Sequence, residues 1–447
     1  MENWDATETA QRIAAGDVSA VEVMEATIKR AEAWNPKLNA LTHFDPERAL
    51  TEARDPRPGV FAGVPTFVKD LEDLAGVPTR CGTAAFNPGP AKRNADTVEQ
   101  FLGTGLIPLG KTTTSEFGLT ASVEPAGGTP TLNPINLAHT AGGSSGGAGA
   151  VVAAGVVPIA HGGDGGGSIR IPAAFCGLVG LKPSRGRLAM MDKTQHMAVR
   201  IAQMGILTAS VRDTANYYAA VEQAAPAEGL APVGHIEDAG SQKFRIGAFI
   251  DTPLSNEVDP EVRQATEATA ARLEALGHEV QWIEAPAGQD IADDFLLYWA
   301  FNAFLVKMLL TTAPRARARK LEPWTKGLAA EARRNIFKVN GAIKRLRAYE
   351  ATYAAMFEDI DVLMCPTTAG AAPRVGDLSP DQPFEAKREK LLKLLPYTPL
   401  QNISGAPAIS VPMGKTATGL PMGVQLAGPT GGEARLLRLA FALEERA

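Results

Sequence analysis

Cysteine is scarce. The three present among 447 residues, Cys81, Cys176 and Cys365, lie far apart, and no Cys-x-x-Cys pair occurs. A disulfide scaffold and a cysteine-built metal site are both excluded, and the thiols read as reduced in a cytoplasmic protein. The six histidines form no His-Glu-x-x-His run, so neither a metal nor another cofactor is expected. Excess positive charge is lacking too. Lys and Arg number 44 against 49 Asp and Glu, which leaves a net charge of −5 and a pI near 5.8. That balance argues against nucleic acid or an anionic membrane as partner. One basic run, Arg315, Arg317, Arg319 and Lys320, reads as a solvated helix face or loop. The longest apolar stretch, "AGAVVAAGVVPIA" from Ala148 to Ala160, is too short to cross a bilayer and carries Gly and Pro, so it reads as core. The opening "MENWDATETAQRIAAG" has no basic segment leading into an apolar one, and therefore does not read as a signal peptide.

The pattern that is present is α/β. "AVEVMEATIKRAEAW" spaces its apolar residues as a helix does. "GVPTFVKD", "TGLIPLGKT" and "VVPIAHGG" read as short buried strands, the first ending in Lys69 and the second in Lys111. Further on, "FRIGAFI" reads as a strand. Asp259 then caps a helix with Pro260 in its first turn, Gly277 ends it, and "HEVQWIE" is the next strand. The strands "PAISVPMG" and "MGVQLAG", followed by the helix "EARLLRLAFALEE", close the chain. This alternation predicts a large mixed, mostly parallel sheet covered by helices on both faces. Residues 225–243 read as a linker or surface connection. Residues 289–358 read as a helical elaboration near a substrate pocket, within a single domain spanning 1–447.

Glycine is abundant, at 44 residues, and it gathers around serine twice. "GGDGGGSIRIPAAFCG" places Gly165, Gly166 and Gly167 directly before Ser168. Consecutive backbone N–H groups in such a stretch can form a nest for an anion, either a phosphate or the oxyanion of acyl transfer. No lysine of a phosphate-binding P-loop follows, which favours the oxyanion. Upstream, "TAGGSSGGAGA" from Thr140 to Ala150 holds Ser144 and Ser145 and matches Gly-x-Ser-x-Gly in two registers. An esterase elbow needs a strand before it and a histidine partner. "TPTLNPINLAHT" reads as loop, and none of His161, His196, His235 or His278 has a suitable context. Ser145 reads as a helix-start residue. Without histidine, the next base for a serine is lysine in a setting that lowers its pKa. Lys69 ends an apolar strand where burial can do this, but a lone lysine at a strand end more often reads as a snorkelling surface residue, so its role needs further support.

"GGSSGG" followed by "GGDGGGSIRIPAAFCGLVGLKPSRG" resembles the amidase signature family, as do "FAGVPTFVKDL", "GKTTTSEFG" and "GAPAISVPMG". The resemblance covers nearly the whole chain, and its wording is nearest to hydrolases of nylon-oligomer cyclic dimers. Ser144 and Ser168 stand 24 residues apart, as that family's two serines do. The resemblance implies an α/β amidase signature fold and a Ser–cis-Ser–Lys triad. Ser168 would be the nucleophile, Ser144 the bridging serine and Lys69 the base. Gly165, Gly166 and Gly167, with Ser168, would supply the oxyanion-binding N–H groups. It implies a small-molecule amide or carbamate substrate and no cofactor. Asp164 and Arg170 match family positions and would orient the loop.

This chain has Gly163 and Gly165 where the family often has threonine, a change expected to loosen or widen the loop. Gln401 and Asn402 would face the pocket. Met190, Met191, Met197 and Met204 would be either a core stripe or a pocket wall. A monomer or homodimer is expected. A Ser–His esterase and a non-catalytic binding protein are the rival readings.

Overall fold

The computed structural model describes residues 4–254, 257–313 and 316–444. Its strands are β1 (Leu41–Phe44), β2 (Pro65–Lys69), β3 (Ile107–Thr112), β4 (Leu132–Asn133), β5 (Asn136–Thr140), β6 (Ile159–Asp164), β7 (Val179–Lys182), β8 (Gln203–Thr208), β9 (Arg245–Ala248), β10 (Glu279–Trp282), β11 (Val362–Pro366), β12 (Ala408–Lys415) and β13 (Pro421–Ala427). Eight of them form one sheet in the order β10-β9-β11-β13-β12-β7-β8-β6. The sheet is mixed, as expected, but it is not mostly parallel. Only β10–β9 and β9–β11 pair in parallel, and the other five pairings are antiparallel. The alternation of strands with helices led to the parallel expectation, yet helices covering both faces leave strand direction open, and from β11 to β6 each strand runs against its neighbour.

Along β11 the side chains alternate between two cores. Met364 joins a cluster with Tyr218, Val221, Leu437 and Leu439 from the helices Val211–Ala224 and Glu433–Leu443. Leu363 and Cys365 join another with Leu346 and Tyr353 from the helix Val339–Ala355. This is the period-two pattern of a strand covered on both sides.

A second sheet, β1-β3-β2, lies against the β6 edge, where Thr66 Oγ1 donates to the Ile159 carbonyl at 2.8 Å. Three residues further along β2, Lys69 reaches Gly163, four residues further along β6. The two strands therefore run the same way, and their ends meet. Lys69 closes β2 and Asp164 closes β6.

Local capping follows the sequence. Ser19 and Glu22 form a reciprocal capping box at the helix Ala20–Leu38. Asp259 caps the helix Pro260–Ala275 through a 2.8 Å bond from the Glu261 N–H. Residues 225–243 form no helix or strand. The helical elaboration is observed as Gln289–Thr312, Pro323–Arg334 and Val339–Ala355. The first of these, 24 residues long, is long and apolar enough to cross a membrane by length and composition. It packs on the other two and lines the cleft described below. In the basic run, Arg317, Arg319 and Lys320 are exposed, and Arg315 lies outside the described residues.

Candidate active site

Lys69 is fully buried, and its amine meets three oxygens. Ser144 Oγ lies at 2.8 Å, Ser145 Oγ at 2.7 Å and the Gly163 carbonyl at 3.0 Å. No carboxylate lies within salt-bridge distance of it among the described residues. Burial lowers the Lys69 pKa to about 7, against weaker upward pulls from Asp164 and Glu72.

The serine doublet stands at the start of the helix Gly146–Ala153. Gly147 permits this seat, since a Cβ there would lie 2.6 Å from the backbone of Ala40 and Thr113. The Gly143–Ser144 peptide bond is cis. Ser145 is the residue before that helix, as the sequence suggests, but its hydroxyl caps nothing. Instead it takes part in the lysine cluster, donating to the Gly163 carbonyl and accepting from the Gly163 N–H, both at 3.2 Å. The consecutive pair of serines was the available signal for this role.

Ser168 lies at the floor of a cleft, 6% exposed. Its hydroxyl makes no hydrogen bond among the described residues. Its carbonyl accepts from the Ser145 N–H at 3.3 Å, which ties the two serine segments together. Of the glycine loop's amides, those of Gly165, Gly166 and Ser168 have no partner among the described residues. Gly167 corrects the expectation, because its N–H donates to Asp164 Oδ1 at 2.7 Å. Its φ of +123° and the Thr398 Oγ1 atom, 2.4 Å from where a Cβ would stand, make it a scaffold position that only glycine fills.

Asp164 organises the loop. Its carboxylate also accepts from the Ile169 N–H at 3.1 Å and from Arg170 Nε and Nη2, each at 2.9 Å. Burial alone would raise the Asp164 pKa, but the Arg170 guanidinium holds it well below the usual carboxylate range. Arg170 is itself buried and reaches Gln401 at 3.0 Å, Gln425 at 2.7 Å and Asn402 at 2.7 Å. Gln401 and Asn402 thus brace Arg170 and do not line the cleft. Gln425, on β13, was not legible as part of this network.

The glycines at 163 and 165 do not widen the site. Met204 Sδ stands 2.7 Å from the position of a Gly163 Cβ, and the Trp299 ring stands 3.4 Å from that of Gly165. Large side chains fill the space that small ones leave. Met191, Met197 and Met204 line the cleft beside Lys69, and Met190 is exposed, so three of the four methionines form a pocket wall.

The segment before the serine doublet is a two-stranded hairpin, β4 and β5, and not a loop. No histidine bonds to Ser144, Ser145 or Ser168 among the described residues. His161 is buried against Phe101 with both ring nitrogens unpartnered, and burial lowers its pKa to about 3. A Ser–His pair has no support in this geometry. Among the described residues, no group of three or more His, Cys, Asp or Glu side chains could hold a metal ion.

Comparison with known proteins agrees with the motifs. The Amidase family profile matches residues 22–437. The chain is 45% identical over 446 residues to "Putative amidase AmiC" of Mycobacterium tuberculosis (strain ATCC 25618 / H37Rv), covering 99% of this chain and 94% of that protein. It superimposes on the structure of 6-aminohexanoate cyclic dimer hydrolase complexed with substrate with a TM-score of 0.88, at 30% identity, over 98% of this chain and 96% of that one. A bacterial aryl acylamidase of the amidase signature enzymes gives a TM-score of 0.82 at 26% identity, over 98% and 95% of the two chains. The chain belongs to the amidase signature family, as a hydrolase acting on amides.

Proposed function

We propose that the protein hydrolyses amide C–N bonds through an acyl-enzyme, with Ser168 as nucleophile, Ser144 as proton bridge and Lys69 as base. The observation that carries the reading is a fully buried lysine with two serine hydroxyls and no carboxylate around its amine. Hydrogen-bond capacity supports this order of the serines. A neutral amine has two N–H groups and one lone pair. The N–H groups satisfy the Gly163 carbonyl and Ser145 Oγ, and the Ser145 proton has the Gly163 carbonyl as acceptor. With the amine neutral, its lone pair is left to accept the Ser144 proton across the 2.8 Å contact, that hydroxyl having no other acceptor among the described residues. Ser144 is therefore the hydroxyl that can pass protons to and from Lys69.

In the reaction, Ser168 Oγ attacks the carbonyl carbon while its proton moves to Ser144 and the Ser144 proton moves to Lys69. The free N–H groups of Gly165, Gly166 and Ser168 are available to the oxyanion, each such donor being worth about 10²–10³ in rate. Collapse of the tetrahedral intermediate expels the amine, which takes its proton from Ser144, and Lys69 re-protonates Ser144. Water then attacks the acyl-enzyme by the same relay and releases the acid.

A carbamate presents the same carbonyl with an added alkoxy oxygen, so it is the competing substrate class. The test uses two matched anilides, an acyl amide and an O-alkyl carbamate, with Ser168→Ala as blank and a fluorophosphonate probe read by peptide mass spectrometry. Faster amide cleavage, a silent blank and label on Ser168 are expected. Carbamate turnover equal to or above that of the amide would make the protein a urethanase. An unlabelled Ser168 and no turnover would return the non-catalytic reading.

A further inference from the structure

The cleft has two halves. One cavity, of about 400 Å³, opens at Ser168 and Gly166 and is walled by Phe249, Phe295, Leu296, Leu328 and Leu395. The other, of about 520 Å³, opens at Lys69, Ser144 and Gly165 and is walled by Met191, Met197, Phe301, Leu305 and Leu309. They share three residues, Gly118, Leu119 and Trp299. Trp299 is the only one of these with a large aromatic side chain, and it is held firmly. Its indole N–H donates to the Leu119 carbonyl at 3.2 Å, its ring packs on Phe295 at 5.6 Å, and it lies over Gly165. Trp324 donates to the same Leu119 carbonyl at 2.9 Å, which fixes the loop from the other side.

We propose that Trp299 divides the cleft into an acyl pocket and an amine pocket, and that the substrates are N-substituted amides with uncharged, apolar groups on both sides of the scissile bond. The assignment of sides rests on the triad reading above. The acyl carbon bonds to Ser168, so the acyl chain occupies the cavity at Ser168. The nitrogen takes its proton from Ser144, so its substituent occupies the cavity at Ser144. A primary amide would leave the second, larger cavity empty apart from ammonia. That cavity is apolar in its walls, and its buried carboxylate, Asp164, is already engaged by Arg170. In the first cavity, the buried Asp294 is neutralised by Arg345 at 2.6 Å. The other charged residues lie toward solvent: Asp293 and Lys338 are exposed at the rim of the first cavity and Lys193 at that of the second, while Glu331 is engaged by Arg334 and Arg388 by Glu385. A charged substituent seated in the buried depth of either half would therefore be desolvated without a partner.

The test is kcat/KM for hexanamide, N-methylhexanamide and N-butylhexanamide, and for N-butylamides of acetic, butyric and hexanoic acids. Each added methylene should raise kcat/KM by about threefold to fourfold on either side until the pocket is full, the rate equivalent of ~0.8 kcal/mol per buried CH₂. N-butylhexanamide should exceed hexanamide by at least tenfold. Leu296→Trp should flatten the acyl-chain series alone, and Leu305→Trp should flatten the N-alkyl series alone. Trp299→Ala should weaken both gradients.

Hexanamide at parity with N-butylhexanamide would overturn the partition, as would either pocket variant flattening the other side's series. Labelling of Ser168 by fluorophosphonate separates the two levels of failure. Parity with Ser168 labelled overturns the partition alone. No turnover with Ser168 unlabelled overturns the triad reading and the partition with it. Should the pocket variants fail to fold, the two substrate series on the parent protein still decide the matter.

Discussion

Lys69 and Lys111 lie on adjacent strands, β2 and β3, and neither has any solvent exposure. Lys111 has a carboxylate, Asp70, at 2.8 Å and the Thr79 hydroxyl at 2.8 Å. Lys69 has hydroxyls and a carbonyl instead. The nearest buried acid on its strand pairing, Asp70, points to Lys111, and Asp164 at the end of β6 is held by Arg170. Burial is thus common to both lysines and cannot alone make a base. The difference is the missing counter-ion. A buried ammonium with a good partner stays charged, whereas one without is driven toward the neutral amine. The fold assigns each nearby carboxylate to another cation, Asp70 to Lys111, Asp164 to Arg170 and Glu72 to Lys193.

The comparison can be broken by substitution. Lys69→Ala should lower kcat/KM by at least about 10⁴-fold, on the scale of losing a member of a catalytic unit. A loss below tenfold would return Lys69 to a structural role. On the other lysine, Asp70→Asn leaves a buried charge unpaired and should cost about 3–5 kcal/mol of stability in urea denaturation. An unchanged midpoint would show that the Lys111–Asp70 contact adds nothing to stability.

Linkage gives a smaller and pH-dependent contrast. The Lys69 pKa is about 7 in the fold against an ordinary 10.5. Below about 7 the amine is charged in both states, and the full burial cost weighs on the folded one. Between 7 and 10.5 only the unfolded state holds the proton, so stability rises with pH across that window. Lys69→Met should therefore stabilise the protein, on the order of 1–3 kcal/mol near pH 6, with the gain shrinking toward pH 10. A gain that grows with pH would reverse the sign and refute the lowered pKa.

Smallest is Ser145→Ala. It removes one hydrogen bond to Lys69 and should cost about tenfold in kcat, the value of one such bond. Ser144→Ala should cost far more. Equal effects would mean that the two serines share the relay.

Much of this was legible in the chain because local chemistry forced it. Lys69 ends an apolar strand, the glycine loop precedes Ser168, and Asp259, Pro260 and Gly277 bound a helix at the residues their conformational preferences dictate. Strand direction was not legible, since a strand such as β11 is apolar whichever way its neighbours run. Long-range partners were equally silent. Nothing near Arg170 points across 255 positions to Gln425. The fillers Met204 and Trp299 were hidden for the same reason. A glycine in a motif says that space is needed, and only the tertiary structure says what occupies it.

Everything in this reading turns on Lys69 losing its proton near neutral pH instead of near 10.5. The most direct measurement is an NMR titration of the Lys69 Nζ and Cε signals in ¹³C,¹⁵N-lysine-labelled Ser168→Ala protein, assigned by their absence in Ser168→Ala/Lys69→Met. A midpoint near 7 is the predicted result. A midpoint above 10 would mean that the amine stays charged among its serines, and Lys69 would then be no base.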